Sequence, residues 1–588
     1  MTLTVGAPFA HSPWGRVLAV AFGLIAAIGL GAVIALAGLG QLSADLDWGA
    51  APGWFWRHRR HPEIQLWAAI GVSVAALALG ALFMLTLWPR RPLHGAAHWG
   101  GAADLRRAGL FAETGVVIGR AHGRYLVSDA QSHVLTYAPT RAGKGVGLVI
   151  PTLLAWPGSA VVLDIKRENW AATAGYRRAC GQTVHLFDPL AVDGRTSRFN
   201  PLGHVDRRDP IQALDELQRI GLMLFPGHDH ADPFWSEAAR TGFLGVGLMA
   251  AADPQRPFTL GEILRLLTQD DPRVRLPAII RDGEDRGLTY HAVCIAAVND
   301  FCAASENTFA SIRQTITARM GLWLHPGVDA ATAASDFDLA DVGRGGLSIY
   351  LGATPDNMQR LAPLYALFFQ QLIDRNTRTL PDRRTPRTLV LLDEFARLGP
   401  APVLAKAFAY AAGYQLRLMA VIQSPSQLRG LYGADLAEEI MTNCGLEVVF
   451  APRALVVAQA LSERLGAQTV TARARSRPSG LTAGRRSLTL TDQRRPLLLP
   501  QELLNLPKDQ LVILADGHPP LRGRRLTYYR DRRFKARAAL LPPQPPSCTS
   551  STGHPAEPAT PIASERISQW IRQSLAAERD RSERNHST

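Results

Sequence analysis

Cysteine is sparse in this chain of 588 residues: Cys180, Cys294, Cys302, Cys444 and Cys548 are all there are. They form no C-x-x-C pair and no Cys/His zinc spacing, which excludes a disulfide scaffold and a structural zinc centre and suits reduced thiols. Charge is missing from two long stretches, Val17 to Ala44 and Ile64 to Trp88. Lysine is scarce, because nearly all of the 64 basic residues are arginine. No internal repeat is visible, which argues against a solenoid. What the chain does have is an apolar fraction of 47% and a net charge of +14. The charge fits a polyanionic partner or an anionic membrane surface, and fits equally well plain solubility with an arginine-biased composition. The length predicts two or more domains.

Each uncharged stretch exceeds the roughly 20 residues a helix needs to cross a bilayer core. Spans are expected near 16–40 and 66–88, which makes residues 1–92 a membrane anchor. A cleaved signal peptide is excluded for the first, because its apolar run is too long and a second span follows. Arg16 precedes the first span, Arg90, Arg91, Arg106 and Arg107 follow the second, and Arg57, Arg59 and Arg60 lie between them. That bias is modest. Both termini are placed in the cytosol because the site described next needs cytosolic nucleotide.

Beyond residue 92 short apolar runs alternate with helical patterns. They occupy 133–138, 159–165, 183–187, 347–353, 388–394, 416–423, 446–451 and 510–516. Such runs, bounded by turn signals, read as buried strands of an α/β core with a mostly parallel sheet. From 209 to 344 the pattern is helical instead, as in 233–252 and 305–324, and predicts an all-α insertion. The core is thus divided into 93–208 and 345–539. Residues 540–588, rich in Pro and Ser, read as a disordered tail, with a short amphipathic helix near 562–579.

"TYAPTRAGKGVGLVIPTLL" (136–154) resembles a phosphate-binding loop, G-x-x-x-x-G-K-S/T, with Ala138 in place of the first Gly and Gly145 in place of the Ser/Thr. It follows a predicted strand and opens a helix. Backbone N–H groups of Thr140, Arg141, Ala142, Gly143, Lys144, Gly145 and Val146 can therefore form an anion nest, with Lys144 reaching the β- and γ-phosphates. Gly145 offers no hydroxyl to Mg²⁺, so Thr140 or water is expected to complete the metal shell. Downstream, "RTLVLLDEFARLG" (387–399) is an apolar strand ending in Asp393 and Glu394. Asp393 suits Mg²⁺ and Glu394 suits a general base for the attacking water. The alternative, an acidic pair at a helix start, accounts for the charge but not for its place after a buried strand. Gln423, at the tip of a third strand, suits a γ-phosphate sensor or a loop cap. Together these elements predict a RecA-like P-loop ATPase.

The segments 138–170, 198–202 ("RFNPL"), 232–240 ("DPFWSEAAR"), 391–428, 442–450 and 495–507 resemble the type IV secretion coupling proteins of the TraG/TraD class, over roughly Leu93 to Arg533. The resemblance implies a two-pass, inner-membrane, homo-hexameric ATPase with a RecA-like domain in the cytosol and an all-α domain. It implies ATP and Mg²⁺ as cofactors, and relaxase or effector proteins and secretion-channel components as partners. By motif position it gives catalytic roles to Lys144, Glu394 and Gln423 and a metal role to Asp393, and it tolerates Gly145. Asp164 lies in "DIKRE", where relatives often have Gly in place of Arg167.

Arginine clusters occur late: Arg473, Arg475 and Arg477; Arg485 and Arg486; Arg522, Arg524 and Arg525; and "YYRDRRFKAR" (528–537). With interleaved aromatics they suit non-specific DNA binding; a solvated surface explains any single cluster as well. The leading expectation is a motor that couples relaxase-bound DNA to a secretion channel in conjugation. The alternatives are an effector-protein receptor without DNA, a nucleotide-binding assembly scaffold, and a chromosome-segregation translocase, which usually has more membrane spans.

Overall fold

The computed structural model describes residues 13–42, 47–87, 92–227, 232–382, 384–476 and 487–548. The chain divides into two compact units, Met1–Leu93 and His94–Thr588.

The first unit pairs two 26-residue helices, Pro13–Gly38 and Pro62–Leu87. Among the described residues, Pro62–Ala81 is long and apolar enough to cross a membrane, whereas the apolar stretch described in the first helix is the shorter Ile28–Gly38. The helices meet at Gly31 and Gly71, where a Cβ on either would press on the other's carbonyl oxygen. Small residues at such a crossing let two apolar helices approach closely.

The second unit is built on an eleven-stranded sheet in the order β2-β1-β13-β12-β9-β3-β8-β7-β4-β6-β5. The strands are β1 (Val116–Ala121), β2 (Arg124–Ser128), β3 (Val134–Tyr137), β4 (Ala160–Ile165), β5 (Thr183–Phe187), β6 (Leu347–Ala353), β7 (Thr388–Leu392), β8 (Leu416–Ile422), β9 (Leu446–Val449), β12 (Gln510–Ala515) and β13 (Leu521–Arg524). Pairing is parallel from β9 through β5 and antiparallel from β9 through β2. Every residue of β3, β6, β7 and β8 is buried. Helices cover both faces of a parallel sheet, so its strands read as unbroken apolar runs. A separate hairpin, β10 (Ala467–Ser476) and β11 (Ser487–Pro496), projects from this body.

The helical interval lies between β5 and β6. Its main helices are Pro210–Leu224, Pro233–Ala252, Leu260–Thr268, Pro272–Asp285, Ala292–Ala303 and Glu306–Met320. Three of them start with the same device: Asp209, Asp232 and Asp271 each accept from backbone N–H groups, and a proline follows at once. The aspartate satisfies orphan donors of the first turn, and the proline occupies a position that needs none.

Residues 540–548, expected to begin a disordered tail, run instead as an extended strap. Thr196 N–H donates to Pro546 O at 3.0 Å and Cys548 N–H to Gly194 O at 3.0 Å. Arg195 Nη1 donates to Pro545 O at 3.2 Å. A Pro-rich segment orders where the neighbouring loop supplies the donors it lacks. The helix expected near 562–579 lies outside the described residues, as do Arg477, Arg485 and Arg486.

Candidate active site

The parallel register brings four strand tips side by side. Tyr137 of β3 pairs with Ile422 of β8, Leu392 of β7 with Ala420 of β8, and Leu163 of β4 with Leu392. The residues that follow these tips are the ones singled out from the sequence. Ligands in open α/β sheets bind outside the carboxyl ends of the strands.

After β3 the chain turns through Ala138–Gly143. Ala138 N–H donates to Ile422 O at 2.8 Å, and Ala138 is not among the residues with positive φ, so it does not need to be glycine. Gly143 does, with φ +88°; Arg141 also lies in the left-handed region, at +63°. The helix opens at Lys144 with a π-turn, Gly145–Val149, before Ile150–Leu153. A Cβ on Gly145 would meet nothing within 4 Å, so packing does not forbid a Ser or Thr there. Thr140 and Arg141 are exposed at the crest of the loop, while Ala142, Gly143, Gly145 and Val146 are half-buried.

Lys144 Nζ lies 2.8 Å from Asp393 Oδ1 and 3.5 Å from Glu394 Oε1. The first contact is an ion pair without hydrogen-bond alignment: Asp393 Oδ1 is buried and has no aligned donor. Its other oxygen, Oδ2, accepts from Asn169 Nδ2 at 3.3 Å. That oxygen is met by a cation, the Lys144 ammonium, and a partly buried carboxylate oxygen at this place is of the kind a hard cation such as Mg²⁺ takes. Glu394 takes a left-handed conformation, φ +66°. Such strain in a non-glycine residue persists only where the surroundings enforce it.

Asp164 closes the group from behind. It is fully buried at the end of β4 and accepts from Asn169 N–H at 3.1 Å and Trp170 N–H at 2.6 Å. Burial pushes its carboxyl up to about 7, against the two N–H donors, which pull it down; the nearby Asp393 adds to the rise. Asp164 therefore anchors the start of helix Glu168–Ala179 and so orients Asn169. Lys166 and Arg167 both have positive φ in the connecting turn, and Arg167 is held there by Asp188, with Nε to Oδ2 at 2.7 Å. Gln423 is exposed after β8, with its N–H accepted by Gln427 Oε1 at 2.8 Å.

Lys144, Asp393 and Glu394 thus converge, and Gln423 sits on the adjacent tip. Sequence reasoning missed Asn169, because an asparagine in the first turn of a helix reads as a cap. The late basic clusters are partly engaged within the fold. Arg120 Nη2 lies 2.6 Å from Asp531 Oδ2, Arg537 Nη1 donates to Leu154 O at 2.6 Å, and Arg522 stacks 4.0 Å above the Trp99 ring.

A family model described as type IV secretory system conjugative DNA transfer matches residues 98–547. The protein VirD4 of Agrobacterium fabrum is 32% identical over 501 residues, covering 82% of this chain and 73% of that one. The conjugal transfer protein TraG of Escherichia coli is 30% identical over 512 residues, covering 77% and 79%. Among solved structures, the plasmid coupling protein TrwB in complex with ADP and Mg²⁺ superposes with a TM-score of 0.54 at 20% identity, covering 74% of this chain and 95% of that one. That likeness establishes a common fold with the large, mostly parallel sheet.

Proposed function

Because this chain belongs to the type IV secretory system conjugative DNA transfer family, we propose that it is an ATPase that couples relaxase-bound DNA to a type IV secretion channel. The observation that carries the reading is the convergence of Lys144, Asp393 and Glu394 at adjacent strand tips. A basic residue at the start of the helix after the loop, facing a carboxylate pair, is the arrangement phosphoryl transfer needs.

In this reading the backbone of Thr140 to Val146 cradles the phosphates, and Lys144 leaves the carboxylates to meet the β- and γ-phosphates. Asp393, held by Asn169, would hold Mg²⁺, and Thr140 or water would serve where Gly145 offers no hydroxyl. Mg²⁺, when bound, neutralises charge on the β- and γ-phosphate oxygens. Glu394 accepts the proton of the attacking water. Gln423 registers the γ-phosphate and its loss. TrwB has been solved with ADP and Mg²⁺, in keeping with this cofactor pair.

Helices Pro13–Gly38 and Pro62–Leu87 form a two-pass inner-membrane anchor, with the sheet unit in the cytosol. The working form is a homo-hexamer with relaxase and channel components as partners. DNA contact is non-specific and lies on arginine-bearing surfaces such as the β10–β11 hairpin. Measuring phosphate release by the full chain in detergent micelles, with and without DNA at low salt, tests the proposal. DNA should stimulate turnover, and Glu394→Gln should abolish it while sparing ATP binding. An absence of DNA stimulation at low salt would favour the effector-receptor alternative, and normal transfer by Glu394→Gln would favour a scaffold.

A further inference from the structure

The phosphate loop has a neighbour from the far end of the unit. Strand β13 ends at Arg524, and the next residue, Arg525, turns back along the loop. Its backbone is fixed by a 2.7 Å hydrogen bond from Arg525 N–H to Asp509 O. The following Leu526 is buried, 3% exposed. The side chain lies against the first helical turn after the loop. A Cβ on Gly143 would overlap its guanidinium, and a Cβ on Gly147 would overlap its aliphatic stem. Glycine at 143 is required by its positive φ, and glycine at 147 leaves room for the arginine stem and the Leu526 carbonyl.

The hydrogen bonding of the guanidinium is incomplete. Nη1 donates to Ala142 O at 2.8 Å, while Nε is buried and has no partner. Among the described residues no carboxylate pairs with Arg525. An arginine has five donors in a planar fork that matches phosphate geometry, and a buried donor left without a partner is costly. Lys144, across the same loop, is by contrast neutralised by two carboxylates. Of the two cations packed against the loop's helical end, Lys144 is paired with carboxylates and Arg525, among the described residues, is not; Arg141, also without a carboxylate there, is exposed at the crest.

We infer that Arg525 is a phosphate-contacting residue of the nucleotide site, supplied by the same subunit. The inference rests on the reading of 140–146 as the nucleotide loop. Arg525 keeps its bond to Ala142 and offers its second amino group to a phosphate oxygen of the bound nucleotide. It thereby ties the antiparallel edge of the sheet to the state of the loop.

The test is MgADP binding by the full chain in detergent micelles, measured calorimetrically at two salt concentrations, together with the melting temperature of the nucleotide-free protein. Arg525→Gln retains an amide donor for Ala142 O and loses the charge. The expected result is a roughly 10- to 100-fold weaker affinity, a smaller salt dependence of binding and an unchanged melting temperature without nucleotide. Affinity within twofold of the parent, or a loss matched by a fall in melting temperature, would overturn the inference. Lys144→Ala separates the two layers: if it binds MgADP normally, the nucleotide-loop reading itself fails. If Lys144→Ala fails to bind while Arg525→Gln binds normally, only the role of Arg525 falls.

Discussion

The two halves of the one sheet are built to different rules. From β9 to β5 the strands are parallel, and in β3, β6, β7 and β8 no residue is exposed. From β12 to β2 they are antiparallel, and β13 alternates buried and exposed. The parallel half is buried along its strands, where polar residues such as Asp164 and Arg417 are held by internal hydrogen bonds, and its accessible polar side chains Lys144, Asp393, Glu394 and Gln423 lie beyond the strand tips. The antiparallel half carries exposed arginines on its strands, Arg120, Arg124, Arg522 and Arg524, and brings Arg525 onto the loop from the side. One half concentrates chemistry at its ends; the other delivers positive charge to its surface.

Breaking the parallel half at its tips should have the largest effect. Lys144→Ala is expected to lower ATP turnover by about 100- to 1,000-fold, in the range for losing one preorganised charge-stabilising donor; phosphate release measures it. Within the same half, Leu391→Ala removes a fully buried side chain of β7. It should cost about 3 kcal/mol of stability in urea unfolding. Leu490→Ala on the hairpin, where the residue is 59% exposed, should change stability by less than about 0.5 kcal/mol. Equal losses at the two positions would erase the distinction between core strand and projecting hairpin.

A smaller effect tests support behind the tips. Asn169 Nδ2 holds Asp393, and Asn169→Ala should raise the Mg²⁺ concentration for half-maximal turnover about 10-fold with little change in apo stability. The smallest expected effect concerns the base of β3. His133 is buried beside Arg417; burial first, and the guanidinium second, lower its pKa to about 4. Its Nδ1 accepts from Leu418 N–H at 3.0 Å, as only a neutral ring can. A folded pKa below the unfolded value means that this contribution is fully present above pH 6.5 and is lost as pH falls from 6.5 through about 4. Urea midpoints across that range should decline in the parent and decline less in His133→Gln.

The same contrast explains what is legible in the sequence. The eight apolar runs that read as strands all appear in the sheet, because double-sided burial leaves an uninterrupted apolar signature. The short antiparallel strands β1, β2 and β13 carry the exposed Arg120, Arg124, Arg522 and Arg524, which interrupt their apolar runs; β13 reads only as a basic cluster. The hairpin β10–β11 is hidden for the same reason. Local motifs expose Lys144, Asp393, Glu394 and Gln423, since each follows its own strand. Asn169 and Arg525 act through a helix start and a distant strand, and their neighbours exist only in three dimensions. The strap 540–548 is hidden because its order comes from partners on loop 194–196 and not from its own composition.

The most direct measurement is the structure of the full chain with MgADP bound. In that complex Lys144 Nζ should have left Asp393 for the β-phosphate, and Asp393, still held by Asn169, should face the metal with Thr140 or water completing its shell. A bound nucleotide with Lys144 still paired to Asp393, or a metal with neither Thr140 nor water beside it, would contradict this mechanism.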